Sequence, residues 1–231
     1  MTNAGSRFSQ RLPGHAAEAY PLEVAGVRLP DTAAALGAWR LARDASADFL
    51  LNHSARTFVF ASLVFAKDGI KVDEELCFIA SVLHDVGLTE MFASASNRFE
   101  VDGADVAKDY LARAGFSDAD AETAWDAIAL HSSVSIAERK SPIVASVAIG
   151  AACDVVGARL DRLDDGEVRA TLDAFPRLGM NRRFTAAVLD YARKKPLAAL
   201  FTFADPLLRR EADAPDLPTL RELIAMSPWD E

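Results

Sequence analysis

Cysteine is scarce. The 231 residues contain two, Cys77 and Cys153, with no CxxC or other thiol-rich spacing. That excludes a disulfide scaffold and a thiolate-bound zinc. Both cysteines sit in apolar runs, Leu76-Cys77-Phe78-Ile79 and Ala151-Ala152-Cys153, and read as buried thiols in a reducing compartment. Excess positive charge is also missing. A formal net charge of -9 argues against a general nucleic-acid binder, which needs clustered Lys and Arg to displace counterions from phosphates. A small phosphorylated substrate, held by a metal and two local cations, stays compatible with it. The longest apolar stretch, Ile143 to Cys153, ends in Asp154 and is too short to span a bilayer. The opening residues, Met1-Thr2-Asn3-Ala4-Gly5-Ser6-Arg7, lack the apolar core of a signal peptide. The expected location is cytoplasmic, with neither a membrane nor a nucleic acid as partner. Strand-like alternation is nearly absent, and there is no internal repeat, low-complexity segment or domain-dividing linker.

What is present is apolar residues at helical spacing. They make up 51% of the chain, enough for one sizeable core. Pro13, Gly14 and Pro21 interrupt residues 1–22, which are expected to form a loose arm carrying a solvated His15. Residues 23–231 are expected to form one all-α domain after a short extended piece, Val24 to Leu29. Ala35, Leu36, Trp39, Ala42, Ala45 and Phe49 repeat at about 3.6 residues and predict a helix from Thr32 to about Leu51. Asn52 would cap the next, His53 to Lys67. Further helices are expected from Glu74 to about Asp85, near Gly103 to Gly115, Asp118 to His131, Pro142 to about Gly157, Arg182 to Lys194 and Pro218 to Met226. Asp161 to Glu167 reads as an exposed charged loop, and Trp39, Trp125 and Trp229 as packing residues.

Several polar residues stand in apolar surroundings. The helix Ile143 to Val156 is apolar nearly all round, and Asp154 is its only charge. A carboxylate there costs several kcal/mol unless a metal ion or an arginine pairs with it. The run Leu76 to Leu83 ends in His84-Asp85. These neighbours, about 100° apart on a helix, can turn toward one point at its last turn. Imidazole beside carboxylate suits a divalent ion, although a solvated helix end reads the same way. His53 opens an amphipathic helix, with Arg56 one turn on along the same face. Two His and two Asp, from three apolar helices, match the way helical bundles build metal sites.

This order, His53, then His84-Asp85, then Asp154, resembles the HD superfamily. The segments His53-Ser54-x-Arg56, Leu83-His84-Asp85-Val86-Gly87-Leu88-Thr89, Arg98-Phe99-Glu100-Val101-Asp102-Gly103-Ala104, Trp125-x-Ala127-Ile128-Ala129-Leu130-His131 and Asp154-Val155-x-Gly157 look like its cyanamide hydratase-like branch. Gly26-Val27-x-Leu29-Pro30-Asp31 is similar too. The resemblance runs from about residue 24, is densest over 52–157, and loosens after about 175. It implies a helical fold and one divalent metal held by His53, His84, Asp85 and Asp154. For fungal members it implies hydration of cyanamide to urea with zinc.

Such a site would use a metal-bound hydroxide to attack a nitrile-like or amide-like carbon, or the phosphorus of a phosphate ester. Zinc suits the ligands best; iron or manganese also fits. The catalytic residues expected are Asp85, Arg56 and His131. His131 would be the acid–base group, or else a helix-end histidine favoured by the dipole. Arg56 would orient a carboxylate, hold an anionic substrate, or form an ion pair in the core. Thr89, Arg98 and Asp102 are candidate substrate contacts; Thr89 could equally be a turn residue and Asp102 a helix cap. The expected partner is a small-molecule substrate, with a homo-oligomer open. A phosphohydrolase is the alternative reading, and a non-enzymatic sensor or scaffold the third. Few Lys or Arg stand near the motifs, and only four His are present, which leans toward one metal and a weakly charged substrate.

Overall fold

The computed structural model describes residues 20–226. Most of the arm, with His15, and Trp229 lie outside them. The arm's last part is no loose end: Tyr20 is buried against Trp39 and Phe78, and its hydroxyl donates to the Pro30 carbonyl. The described chain is all-α apart from a two-stranded hairpin, β1 (Glu23–Val24) with β2 (Val27–Arg28). That hairpin is the expected extended piece.

The first helices are α1 (Ala33–Ala45), α2 (Asp48–Asp68) and α3 (Glu74–Leu83). Thr32 and Asp73 cap α1 and α3, each side chain accepting an amide N–H of the first turn. The expected first helix is in fact cut at Ser46-Ala47, and α2 starts at Asp48 rather than His53. Asn52 is therefore inside α2 and caps nothing; its side-chain amide donates to the Pro176 carbonyl. The apolar spacing from Ala42 through Ala45 to Phe49 runs on across the break and hid it, although Ala47 and Asp48 are exposed.

Next come α4 (Phe99–Ala114), α5 (Asp118–Ala129) and α6 (Pro142–Val156). α4 begins four residues before Gly103, so Asp102 lies in its first turn and is not a cap. Ser141 caps α6 and Pro142 fills its first turn, where a missing N–H costs nothing. The remaining helices are α7 (Asp165–Ala174), α8 (Met180–Lys194), α9 (Pro196–Ala199), α10 (Asp205–Leu208) and α11 (Leu220–Ala225). Part of the charged run read as a loop is the start of α7, fixed by reciprocal hydrogen bonds between Asp164 and Glu167.

α2 and α6 form the centre, with α1, α3, α4 and α5 around them. By length and composition α2 could cross a membrane, but 83% of its apolar window is buried among its neighbours, which makes it the core helix. The central pair touches backbone to backbone. A Cβ on Gly150 would sit 1.9 Å from the Thr57 carbonyl oxygen, so only glycine permits this approach. A second cluster joins Phe99 to Val188, Tyr191, Ala192, Ala199, Ala204, Leu208 and Leu217. Through it, α8 to α10 close over the first turn of α4.

Candidate metal centre

His53 projects from the second turn of α2. His84 and Asp85 follow the last residue of α3, where the chain tightens into a 3-10 turn, Val86–Leu88. All three are buried, and one donor atom from each lies within 4.8 Å of the others. His53 Nε2 is 3.5 Å and His84 Nε2 3.3 Å from Asp85 Oδ2. His131, just past α5, brings its Nε2 to 3.7 Å from Asp85 Oδ1. α4 braces the turn: a Cβ on Gly87 would collide with the Phe99 carbonyl oxygen at 2.0 Å.

The other nitrogen of each ring is already engaged. His84 Nδ1 donates to the Ser81 carbonyl at 2.7 Å and His131 Nδ1 to the Ile128 carbonyl at 2.7 Å. His53 Nδ1 meets Asp154 Oδ2 at 2.7 Å. With those protons on Nδ1, three Nε2 lone pairs face one carboxylate. Neither oxygen of Asp85 has a hydrogen-bond partner, nor has His84 Nε2. Buried acceptors aimed at one another with nothing between them are unfavourable, unless a cation draws them together. Imidazole nitrogens fixed through their second nitrogen, beside a carboxylate, are a donor set suited to a divalent ion.

Charges follow the same geometry. Burial opposes ionisation of Asp85, but His84, His53 and His131 hold its carboxyl well below the usual range. Burial also disfavours charge on His84, and the Asp85 carboxylate outweighs it, so His84 is raised. Burial wins at the other two: His53 is lowered, and His131 falls to about 4, with His84 adding to the effect.

Asp154 stands behind His53 and outside the converging group. The resemblance implied Asp154 as a fourth metal ligand, while the apolar helix left metal or arginine open; in the structure arginine and His53 hold its carboxylate. Arg56 grips the carboxylate with Nε and Nη2, both at 2.8 Å, and donates through Nη1 to the Phe175 carbonyl. Arg177 adds a contact at 2.6 Å. Burial again opposes the charge, but His53 and Arg56 keep the Asp154 carboxyl far below its ordinary value.

The other expected contacts have partners or exposure of their own. The Thr89 hydroxyl donates to the Val86 carbonyl, a turn role. Arg98 is exposed at the start of α4. Asp102 is buried and accepts from Lys195 Nζ at 2.7 Å and from the Ser94 amide. Arg177, Phe184 and Lys195 were not marked by any sequence pattern. Phe184 lies against the His53 ring, and Arg177 and Phe184 line a cleft of about 120 Å³.

A helical bundle that gathers His and Asp side chains from facing helices around one point defines a class, the helical metal-site proteins. Within it the chain belongs to the HD domain family, whose model matches residues 50–166. HD domains bind divalent metals and are generally metal-dependent hydrolases. No curated protein matches the chain.

Proposed function

We propose that the protein is a metal-dependent hydratase or hydrolase acting on a small nitrile-like (cyanamide-like) or amide-like substrate, in the manner of the cyanamide hydratase-like branch. The observation that carries this is the convergence of three imidazole Nε2 atoms on the unpartnered Asp85 carboxylate. His53, His84 and Asp85 would hold one ion, zinc suiting them best, and His131 would complete the set. Asp154 would act through His53, fixing its ring and tautomer, with Arg56 and Arg177 fixing Asp154. The ion would supply a Lewis acid and lower the pKa of a water in the site. The protein's part is to keep every imidazole oriented and the surroundings dry.

Phosphoester hydrolysis, the other reading, is less well served. Phosphate recognition draws on several cations beside the metal. Arg56 and Arg177, behind His53, both grip Asp154, and Lys195 is paired with Asp102. A weakly charged molecule in a cytoplasmic setting, where Cys77 and Cys153 stay reduced, fits better.

Elemental analysis of the purified protein, followed by assays of cyanamide hydration and phosphate-ester hydrolysis, tests this. About one zinc, iron or manganese per chain and formation of urea are expected. A protein that takes up none of these metals would end the enzymatic reading; two metals per chain with phosphatase activity would favour the alternative.

A further inference from the structure

Glu100 has no role in the site as built so far. It sits in the first turn of α4, where an acidic residue ordinarily faces water and favours the helix N-terminus. Here it is only 2% exposed. One oxygen, Oε1, accepts from the Ser132 hydroxyl at 2.5 Å, and Ser132 follows His131 directly. The other, Oε2, is buried and has no partner. A helix-end acid needs neither the burial nor the empty oxygen, so a purely local role leaves both unexplained.

Its neighbours place it beside the metal centre. Phe99, the preceding residue, packs edge-on against the His131 ring, with centroids 5.8 Å apart, and against Tyr191 on α8. The Tyr191 hydroxyl is likewise buried without a hydrogen-bond partner. Asp85 is close enough for its charge to be felt at Glu100. Two unfilled polar atoms, the Glu100 oxygen and the Tyr191 hydroxyl, therefore belong to residues linked to His131 through Ser132 and Phe99.

We propose that Glu100 contacts the substrate and sets its class: Oε2 takes the polar end of a small uncharged nitrogen compound, an amide or nitrile, and turns phosphate away. This rests on the metal reading above. A carboxylate can accept from the N–H of an amide or of cyanamide without a compensating cation. A phosphate dianion in the same place would face Asp85 and a second acid, and the nearby Lys195 is engaged by Asp102.

The test uses zinc-loaded wild type, Glu100→Gln and Glu100→Ala, with zinc content measured first. Cyanamide and inorganic phosphate are then titrated calorimetrically. Wild type should bind cyanamide and not phosphate. Glu100→Ala should lose about tenfold or more in cyanamide affinity, the effect of one buried hydrogen bond. Glu100→Gln, which keeps volume and the Ser132 contact, should hold zinc and gain phosphate binding. Should Glu100→Ala fail to fold, the Gln variant decides the matter through phosphate. Full zinc with unchanged cyanamide binding in Ala and no phosphate gain in Gln overturns the proposal, as does zinc-loaded wild type that prefers phosphate or binds neither. Wild type unable to hold zinc overturns the metal reading itself, and the zinc measurement separates that failure from the others.

Discussion

At the scale of single residues, the site is a matter of which ring nitrogen is free. His84 and His131 are built alike, each giving Nδ1–H to a carbonyl three residues back and leaving Nε2 toward Asp85. His53 reaches the same state through a carboxylate. Asp85→Ala is expected to lose the metal while keeping its far-ultraviolet circular dichroism; full occupancy in that variant would remove Asp85 from the ligand set. His131→Ala separates two roles. As a fourth donor its loss should lower metal affinity, read by competition with a chromogenic chelator. Unchanged affinity with lost turnover would return His131 to the acid–base role that the sequence suggests. The sequence marks His53, His84, Asp85 and His131 because each is polar in an apolar run. The helix alone leaves Asp154 open between metal and arginine, since one helix cannot show what faces it, and only the family resemblance made it a ligand. Arg177 is illegible for the same reason: nothing in Phe175-Pro176-Arg177 points to a carboxylate one helix away.

Between elements, the site depends on how α2 and α6 meet. Thr57 and Gly150 each lie one turn from the residues of the His53–Asp154 contact, and there the two backbones touch. Gly150→Ala should push the helices apart. Overpacking of this kind costs about 1–3 kcal/mol, measurable as a lower urea midpoint. Metal affinity should fall with it, because His53 and Asp154 ride on the separated helices. An unchanged midpoint and unchanged affinity would show that the pair can slide without consequence. Helix identities were readable from period and caps, as for α3 and α6. Boundaries failed where apolar spacing continued across a break, between α1 and α2, and where α4 begins on a residue without a capping side chain.

For the molecule as a whole, the family match ends at residue 166, yet the tail beyond it covers the site. Phe184 lies on His53, Tyr191 on Phe99, and Lys195 ties α8 and α9 to Asp102 in α4. A protein closed in this way should shield its thiols. Burial pushes Cys77 up to about 11 and Cys153 up to about 12. At pH 8 the native protein should react slowly with a disulfide reagent and the unfolded protein rapidly at both cysteines. Rapid native reaction would reveal frequent opening of the core.

The core helix α2 carries one more consequence, during synthesis. As it leaves the ribosome, before α6 exists, this segment is long and greasy enough to be mistaken for a membrane anchor. Arg56 sits near its middle, where an arginine raises the free energy of lipid insertion by about 2.5–3.5 kcal/mol. The side chain that later grips Asp154 thus also makes this segment less favourable in a bilayer while its own partners are still unmade.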